Sequence, residues 1–225
     1  MSDLDHAMSD LPPAIPAATV VLVRDGDGGL ETLMLRRNAR GAFGGMWVFP
    51  GGRVDPEDGE DEEGARRAAV RETAEEASLM VDPAALVAFA HWTPPPVAPK
   101  RFATWFFLAP APAGAVTIDG AEIHEYVWVT PAEALRRRDA GDIELAPPTF
   151  VTLHRLSQLP DVAAALADAA SREVEYFSTR VVKANSGELV AVWHGDIAHD
   201  GGDLEADGGR HRLAMIDGAW AYERT

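Results

Sequence analysis

The feature that most constrains this chain is a helical segment carrying three glutamates, Glu72, Glu75 and Glu76, directly after an acidic stretch. Residues spaced at i, i+3 and i+4 lie on one face of an α-helix, so the three carboxylates are predicted to lie side by side. Carboxylates this close repel one another in the absence of solvent or a hard cation, and Mg²⁺ and Mn²⁺ prefer oxygen ligands. The spacing alone is compatible with a solvated helix as well as with a metal site.

The helix is predicted to run from about Glu62 to Ala77, because its residues are mostly alanine, arginine and glutamate, which are good helix formers. Arg71 is predicted to pair with Glu75, four residues later, and to hold the carboxylates in register. On the glutamate side, small side chains are expected to leave room for a substrate: Ala65, Ala68 and Ala69. The opposite face is expected to be the packed one, with residues spaced at i, i+4 and i+7: Val70, Ala74 and Ala77.

The surrounding residues decide between the two interpretations. The segment resembles the Nudix box, a loop-helix-loop of the form G-x5-E-x7-R-E-U-x-E-E-x-G-U in which U is bulky and aliphatic. Arg71-Glu72 and Glu75-Glu76 match its two pairs, Glu63 matches its first glutamate and Leu79 its last aliphatic residue. The strand ending in Phe49-Pro50-Gly51-Gly52 is similar to the strand that enters the box.

The segment departs from the family pattern in three places. Gly52 stands nineteen residues before Arg71 instead of fourteen, so the acidic loop carries a five-residue insertion. Thr73 replaces an aliphatic residue, and Ser78 replaces the box glycine, at a helix end where a positive φ is favoured. No departure removes a carboxylate, so they affect the expected loop geometry more than the chemistry.

The resemblance implies an α+β Nudix fold, with a mixed β-sheet sandwiched between helices, and a diphosphate hydrolase activity. It implies Mg²⁺ or Mn²⁺ as cofactor, with a ligand set formed by Gly51, Glu72, Glu75 and Glu76. The catalytic residues implied are Glu72, Glu76 and Arg71, with Glu122 as accessory ligand or general base. Glu125 is expected to be an exposed acid at a strand edge.

A second resemblance concerns the substrate. The segment Lys100-Arg101-Phe102-Ala103-Thr104-Trp105-Phe106-Phe107 and the later Pro147-Pro148-Thr149 are similar to the acyl-CoA diphosphatase branch of Nudix enzymes. CoA or acyl-CoA is therefore the first expectation, and ADP-ribose, NADH and dinucleoside polyphosphates remain open. The residues expected to bind substrate are Arg36, Arg53, Lys100, Arg101 and Phe102, with Arg37 and Arg40 as further candidates. Trp92 or Phe102 is expected to stack on a base, although core packing explains most of the aromatic residues equally well.

The pattern of apolar runs and turns predicts three parts. Residues 1–16 are expected to form a flexible arm, residues 17–140 the Nudix domain, and residues 141–225 a docked C-terminal α/β extension of helices and hairpins. Apolar hairpin residues are expected to be exposed in the extension and to support homodimerisation: Val190, Val192 and Trp193. A nucleotide-sensing module that does not cleave its ligand is the alternative to an enzyme.

Charge and composition exclude several classes of function. The net charge of −16 argues against binding to nucleic acid or anionic membranes, which requires clustered basic residues, but not against a small anionic substrate. The chain has no cysteine, so disulfides and thiolate sites are excluded. The first residues do not resemble a signal peptide and no apolar run is long enough to span a bilayer, so a cytoplasmic protein with a small nucleotide-type ligand is expected.

Overall fold

The computed structural model describes residues 13–39, 43–98, 100–216 and 219–225. Its helices are α1 (Asp61–Ala77), α2 (Pro131–Asp139), α3 (Pro147–Leu156) and α4 (Val162–Ala170). Its strands are β1 (Ile15–Gly26), β2 (Gly29–Arg37), β3 (Trp47–Val48), β4 (Gly51–Arg53), β5 (Val87–Thr93), β6 (Phe102–Pro110), β7 (Ile123–Val129), β8 (Glu175–Ser178), β9 (Arg180–Lys183), β10 (Leu189–Val192), β11 (His211–Ile216) and β12 (Ala219–Arg224). In these parts of the chain, no helix has the length and apolar character needed to cross a membrane.

The strands form two sheets. The larger sheet has the order β3-β2-β1-β6-β5-β8, with β4 paired to β1 and β7 paired to β2. It is mixed, because β1 and β6 run parallel, as do β5 and β8, whereas β1 and β2 form an antiparallel hairpin. The smaller sheet is antiparallel, with the order β12-β11-β10-β9.

Strand β1 is buried on both faces, which explains why its sequence is an unbroken apolar run. Val20 and Leu22 belong to one hydrophobic cluster, and Val21 and Val23 belong to another. Since successive side chains of a strand point to opposite faces, the two clusters lie on opposite sides of the sheet. The α1 helix covers one side, and α3, α4 and the smaller sheet contribute to the cluster on the other. The predicted α+β fold with a mixed sheet between helices is confirmed.

The prediction for the packed face of α1 was wrong. Three alanines expected beside the substrate are 0–1% exposed and belong to the core: Ala65, Ala68 and Ala69. Val70 and Ala74 are only partly buried, although Ala77 is buried as expected. The helix therefore packs its small side chains against the sheet. Because these side chains are small, the helix can approach β1 and β6 closely.

Two further predictions need correction. Val190, Val192 and Trp193 are 6%, 0% and 0% exposed, so they form core and supply no surface for homodimerisation, which stays a prediction without that support. The expected arm over residues 1–16 extends too far, because β1 already begins at Ile15; residues 1–12 lie outside the described part. Of the hairpins predicted in the extension, β9 and β10 form one, which turns over residues 185–187; residues 217 and 218 lie outside the described part.

Candidate active site

A cavity of about 630 Å³ lies between the end of α1, the β1–β4 pair, β6 and the start of α3. It is lined by charged, polar and apolar groups. Its wall consists of Ala17, Ala18, Thr19, Arg37, Asn38, Phe43, Val48, Phe49, Gly51, Gly52, Arg53, Asp55, Glu72, Lys100, Phe102, Thr104, Phe106, Glu122, Ala146, Pro148 and Thr149. The volume is within the range of small-molecule binding sites, which is roughly 300–1,000 Å³.

Two glycines bring the backbone of β4 directly against the glutamates of α1. At Gly51, φ is +154° and a Cβ atom would lie 2.3 Å from the carbonyl oxygen of Ala18, so only glycine fits. At Gly52, a Cβ atom would lie 2.3 Å from the carboxylate carbon of Glu72. The absence of a side chain at Gly52 therefore lets the Glu72 carboxylate rest on the backbone at the cavity wall, and the absence of one at Gly51 lets β4 pack closely on β1.

Glu76 is the most deeply buried carboxylate of the group. It is 4% exposed, and its Oε2 accepts a hydrogen bond from the N–H of Gly51 at 2.9 Å. Arg37 lies 3.3 Å from its Oε1. Burial raises the pKa of Glu76 to about 7, and the Gly51 N–H and Arg37 only partly oppose this effect.

Glu72 and Glu75 share one nitrogen of Arg71. Nη1 of Arg71 lies 2.8 Å from Glu72 Oε1 and 3.3 Å from Glu75 Oε2. Burial raises the pKa of Glu72, against the effect of the adjacent Arg71 guanidinium. The Glu75 side chain is 60% exposed. The predicted pairing of Arg71 with Glu75 is confirmed, and Glu72 is part of the same contact.

The donor groups fit a hard divalent cation. They are carboxylate oxygens, and two of them, on Glu72 and Glu76, have raised pKa values because they are desolvated close to other acids. A cation between them would offset that cost. In the described parts of the chain, no group of three or more acidic or histidine side chains already stands in the arrangement of a metal site. Glu72 and Glu75 each use one carboxylate oxygen on Arg71, whereas both oxygens of Glu76 have partners, so Glu76 would have to give up a contact to bind an ion.

The sequence analysis missed Asp58, which lies in the inserted acidic loop and is 7% exposed. Its Oδ2 lies 2.7 Å from Nη2 of Arg71, and its Oδ1 accepts from Nε of Arg71 at 3.3 Å. The hydrogen bond with Arg71 lowers the pKa of Asp58. One acid among seven in the run from Asp55 to Glu63 gives no signal in a single sequence, because only the folded loop shows which one turns inward.

Glu122 lines the cavity and is linked to Glu76 through Arg37. Nη2 of Arg37 lies 2.6 Å from Glu122 Oε2, and the Glu122 side chain is 65% exposed. Asp119 holds this loop by accepting hydrogen bonds from the N–H groups of Glu122 and Ile123, both at 3.0 Å. Glu125 pairs with Arg36 at 3.4 Å and is exposed, as expected of an acid at a strand edge.

The residues predicted to bind substrate fall into two groups. Arg53, Lys100 and Phe102 line the cavity, and Lys100 Nζ lies 5.4 Å from the centre of the Phe102 ring. Arg36 and Arg101 are not among the described residues of the cavity wall, and their assignment stays a prediction. Arg40 lies outside the described residues.

The prediction of base stacking by Trp92 was wrong. Its ring is 4% exposed and stacks on Phe177 at 3.7 Å between centroids, so it belongs to the core.

Comparison with known proteins settles the family. The family model described as NUDIX domain matches residues 14–148, which is more than half of the 225-residue chain. This chain belongs to the Nudix family. The matched region includes α1, the two glycines and the described residues of the cavity wall except Thr149.

The relatives of this Nudix chain support the same conclusion. Putative nudix hydrolase 7 of Caenorhabditis elegans is 28% identical over 168 residues, which cover 58% of this chain and 57% of that protein. The chain thus spans less than two thirds of the length of this curated relative.

Two solved structures resemble the fold. The NUDIX hydrolase from Alicyclobacillus acidocaldarius superposes with a TM-score of 0.63 at 25% identity, covering 69% of this chain and 96% of that one. The NUDIX domain of Shewanella oneidensis NrtR, complexed with ADP ribose, has a TM-score of 0.53 at 17% identity and covers 70% of this chain and 98% of that one. The latter similarity concerns the fold alone.

Proposed function

We propose that this Nudix chain is a hydrolase that uses Mg²⁺ or Mn²⁺ to cleave a diphosphate linkage in a nucleoside diphosphate derivative. The observation that carries the proposal is the cavity wall, which brings Glu72 of α1 together with Arg37, Arg53 and Lys100, while the buried Glu76 contacts the same Arg37. These three basic groups offset the three acids among the described residues of the same wall, Asp55, Glu72 and Glu122, and a bound divalent cation would add the positive charge that a polyanionic substrate requires in a protein of net charge −16.

Glu72, Glu75 and Glu76 would hold the ion, with the carbonyl of Gly51 as a further ligand. A bound divalent cation supplies neutralisation of the diphosphate charge and makes water a better nucleophile. Water attacks one phosphorus atom, its proton passes to a base, and the anhydride bond breaks so that the second phosphate leaves. Arg71 would keep Glu72 and Glu75 oriented. Glu122 is our candidate base, because its carboxylate is exposed at the cavity and fixed by Arg37.

Within this class we place CoA or acyl-CoA first. The residues that carry the resemblance to the acyl-CoA diphosphatase branch come from two distant segments, and they meet in the wall of this one cavity: Phe102, Thr104, Phe106, Pro148 and Thr149. Their apolar surface suits a substrate with a base or an apolar chain beside its diphosphate. ADP-ribose, NADH and dinucleoside polyphosphates are the alternative substrates. The proposal also includes a cytoplasmic location.

A substrate panel tests this proposal. CoA, an acyl-CoA, ADP-ribose, NADH and diadenosine polyphosphates are incubated with the protein and Mg²⁺ or Mn²⁺, and products are identified by mass spectrometry. We expect the CoA species to be cut between the two phosphates of the diphosphate. Turnover of another compound keeps the reaction and discards CoA, whereas binding without turnover of any compound favours the nucleotide-sensing module.

Lys100→Gln tests the contact with the nucleotide. If Lys100 meets the 3′-phosphate, this change raises KM for CoA roughly tenfold and leaves KM for dephospho-CoA, which lacks that phosphate, nearly unchanged. Lys183→Gln is the matched control, because Lys183 is an exposed residue of β9 in the smaller sheet. Equal effects of Lys100→Gln on both compounds would contradict the assignment.

A further inference from the structure

We propose that Asp58, contributed by the inserted acidic loop, is the positioning residue that orients Arg71 and thereby the cation-binding glutamates; the proposal rests on the proposed function. Asp58 does not line the cavity, so it acts only through Arg71. The insertion would then be a functional part of the Nudix box of this chain, instead of a solvated spacer.

The geometry of the Arg71 guanidinium carries this inference. One edge, formed by Nε and Nη2, faces the two carboxylate oxygens of Asp58 at 3.3 and 2.7 Å. Nη2 also donates to the carbonyl oxygen of Arg53 at 3.0 Å. The remaining nitrogen, Nη1, faces Glu72 and Glu75 at 2.8 and 3.3 Å. A two-point contact fixes the orientation of the planar guanidinium, so Asp58 determines where Nη1 points.

Asp58 is itself held rigidly against α1. Its side chain is 9% exposed, and Oδ2 accepts a hydrogen bond from the N–H of Asp55 at 2.9 Å. Its carbonyl oxygen accepts from Nε of Arg67, on the helix, at 2.5 Å. At Gly64, a Cβ atom would lie 2.5 Å from the carbonyl oxygen of Gly59, so the loop packs directly on the first turn of the helix. The position of Asp58 is therefore fixed relative to the helix that carries the glutamates.

Other acids near Arg71 do not offer the same contact. Glu63, which matches the first box glutamate, is 73% exposed and lies 3.7 Å from Arg66 and 4.0 Å from Arg67. Asp55 approaches Arg71 only at 3.5 Å and is 54% exposed. If a cation drew on the charge of Glu72 and Glu75, Asp58 would still balance the charge of Arg71 and hold its guanidinium in place.

The test measures Mn²⁺ binding to the full chain by electron paramagnetic resonance, without substrate. Asp58→Asn keeps the size of the side chain but removes its charge and one acceptor, and we expect the Kd for Mn²⁺ to rise on the order of tenfold. Asp58→Glu keeps the carboxylate and should recover part of the affinity. Glu57→Gln is the matched control, because Glu57 is exposed, lies in the same loop and loses the same charge. Its Kd should equal that of the parent protein.

A double-mutant cycle separates positioning from general loss of structure. Arg71→Lys removes the two-point contact, so Asp58→Asn should add nothing further to the Kd in that background. Provided that the parent protein binds Mn²⁺, either of two results overturns the role of Asp58. In the first, Asp58→Asn has the same Kd as Glu57→Gln. In the second, Asp58→Asn raises the Kd by the same factor in the Arg71→Lys background as in the parent protein. If the parent protein neither binds Mn²⁺ nor hydrolyses the panel, the proposed function fails, and this role with it.

Discussion

At the residue scale, the chemistry proposed for this Nudix chain depends on carboxylates that the fold places next to the backbone. Glu76 accepts from the Gly51 N–H, and Glu72 rests where a Gly52 side chain would be. The position of the Glu72 carboxylate thus depends on an absent side chain, and that of the Glu76 carboxylate depends on a backbone hydrogen bond. This arrangement predicts that replacing Gly51 and replacing Gly52 have different effects on stability and activity.

Gly51→Ala should destabilise the fold, and Gly52→Ala should mainly impair catalysis. The new Cβ at Gly51 meets the carbonyl oxygen of Ala18 at 2.3 Å and the backbone has φ +154°, so we expect a loss of about 2 kcal/mol or more. The new Cβ at Gly52 meets only the mobile end of Glu72, which can move, so stability should change little while kcat falls roughly 100-fold. Urea unfolding and steady-state kinetics measure both. An active Gly52→Ala protein would contradict this account.

His211 predicts how stability depends on pH. Burial lowers the pKa of His211 from its ordinary value of 6.5. The Nδ1 atom lies 2.9 Å from the carbonyl oxygen of His194. The charged groups nearby are Glu175, Asp196 and Arg224. Below about pH 6.5 the unfolded chain then binds more protons at this residue than the folded chain, so the free energy of unfolding falls as pH decreases.

The comparison with His211→Asn isolates this effect, because asparagine keeps a donor towards the His194 carbonyl but does not titrate. The stability advantage of the parent protein over His211→Asn should shrink between pH 7.5 and pH 5.5, measured by urea unfolding at each pH. An advantage that stays constant or grows on acidification would show that the pKa of His211 is not lowered.

At the scale of elements, the limits of α1 were predictable, but its packing was not. The structure begins α1 at Asp61 and ends it at Ala77, within one residue of the prediction. Alanine is too small to give a clear amphipathic pattern, so the sequence could not show that Ala65, Ala68 and Ala69 face the sheet. The inward turn of Asp58 was equally hidden, because burial of that acid depends on Arg71, thirteen residues later.

The end of α1 provides a prediction about stability. Ser78 adopts φ 55° and ψ 30°, the left-handed conformation that the box glycine usually provides, and its N–H donates to the Ala74 carbonyl oxygen. This conformation costs a non-glycine residue about 1–2 kcal/mol, which glycine would avoid. The greater backbone entropy of glycine in the unfolded chain offsets part of that gain. Ser78→Gly should therefore raise the free energy of unfolding by about 0.5–1 kcal/mol in urea titrations. A less stable variant would mean that the serine side chain contributes a contact of its own.

At the scale of the whole molecule, the C-terminal residues complete the core behind the large sheet. The sequence predicted helices and hairpins there, but β8 was missed, because a four-residue strand becomes recognisable only through its parallel pairing with β5. Trp193 is fully buried, with its ring 5.4 Å from Trp92 and 5.6 Å from Phe177. These contacts join residues of the matched Nudix region to residues beyond it.

Trp193→Ala should therefore destabilise the entire chain. Loss of a large buried aromatic side chain costs about 3–5 kcal/mol, and Nε1 of Trp193 also loses its hydrogen bond to Thr179. Calorimetry should show one cooperative transition at a lower Tm, accompanied by loss of activity at the same temperature. Unfolding of the C-terminal residues alone, with activity retained, would show that they are an independent unit.

The central claim is that the buried glutamates of α1 carry out cation-dependent cleavage of a diphosphate. The most direct measurement is the rate of phosphate-linked product release with Mg²⁺ for the parent protein, Glu76→Gln and a control, Glu173→Gln. Glu173 is an exposed glutamate outside the matched Nudix region. Glutamine at position 76 still accepts the Gly51 N–H, so the fold is preserved while a charged ligand is lost. We expect Glu76→Gln to be slower by at least about 100-fold and Glu173→Gln to match the parent protein. A Glu76→Gln protein with a rate within about twofold of the parent would contradict the claim.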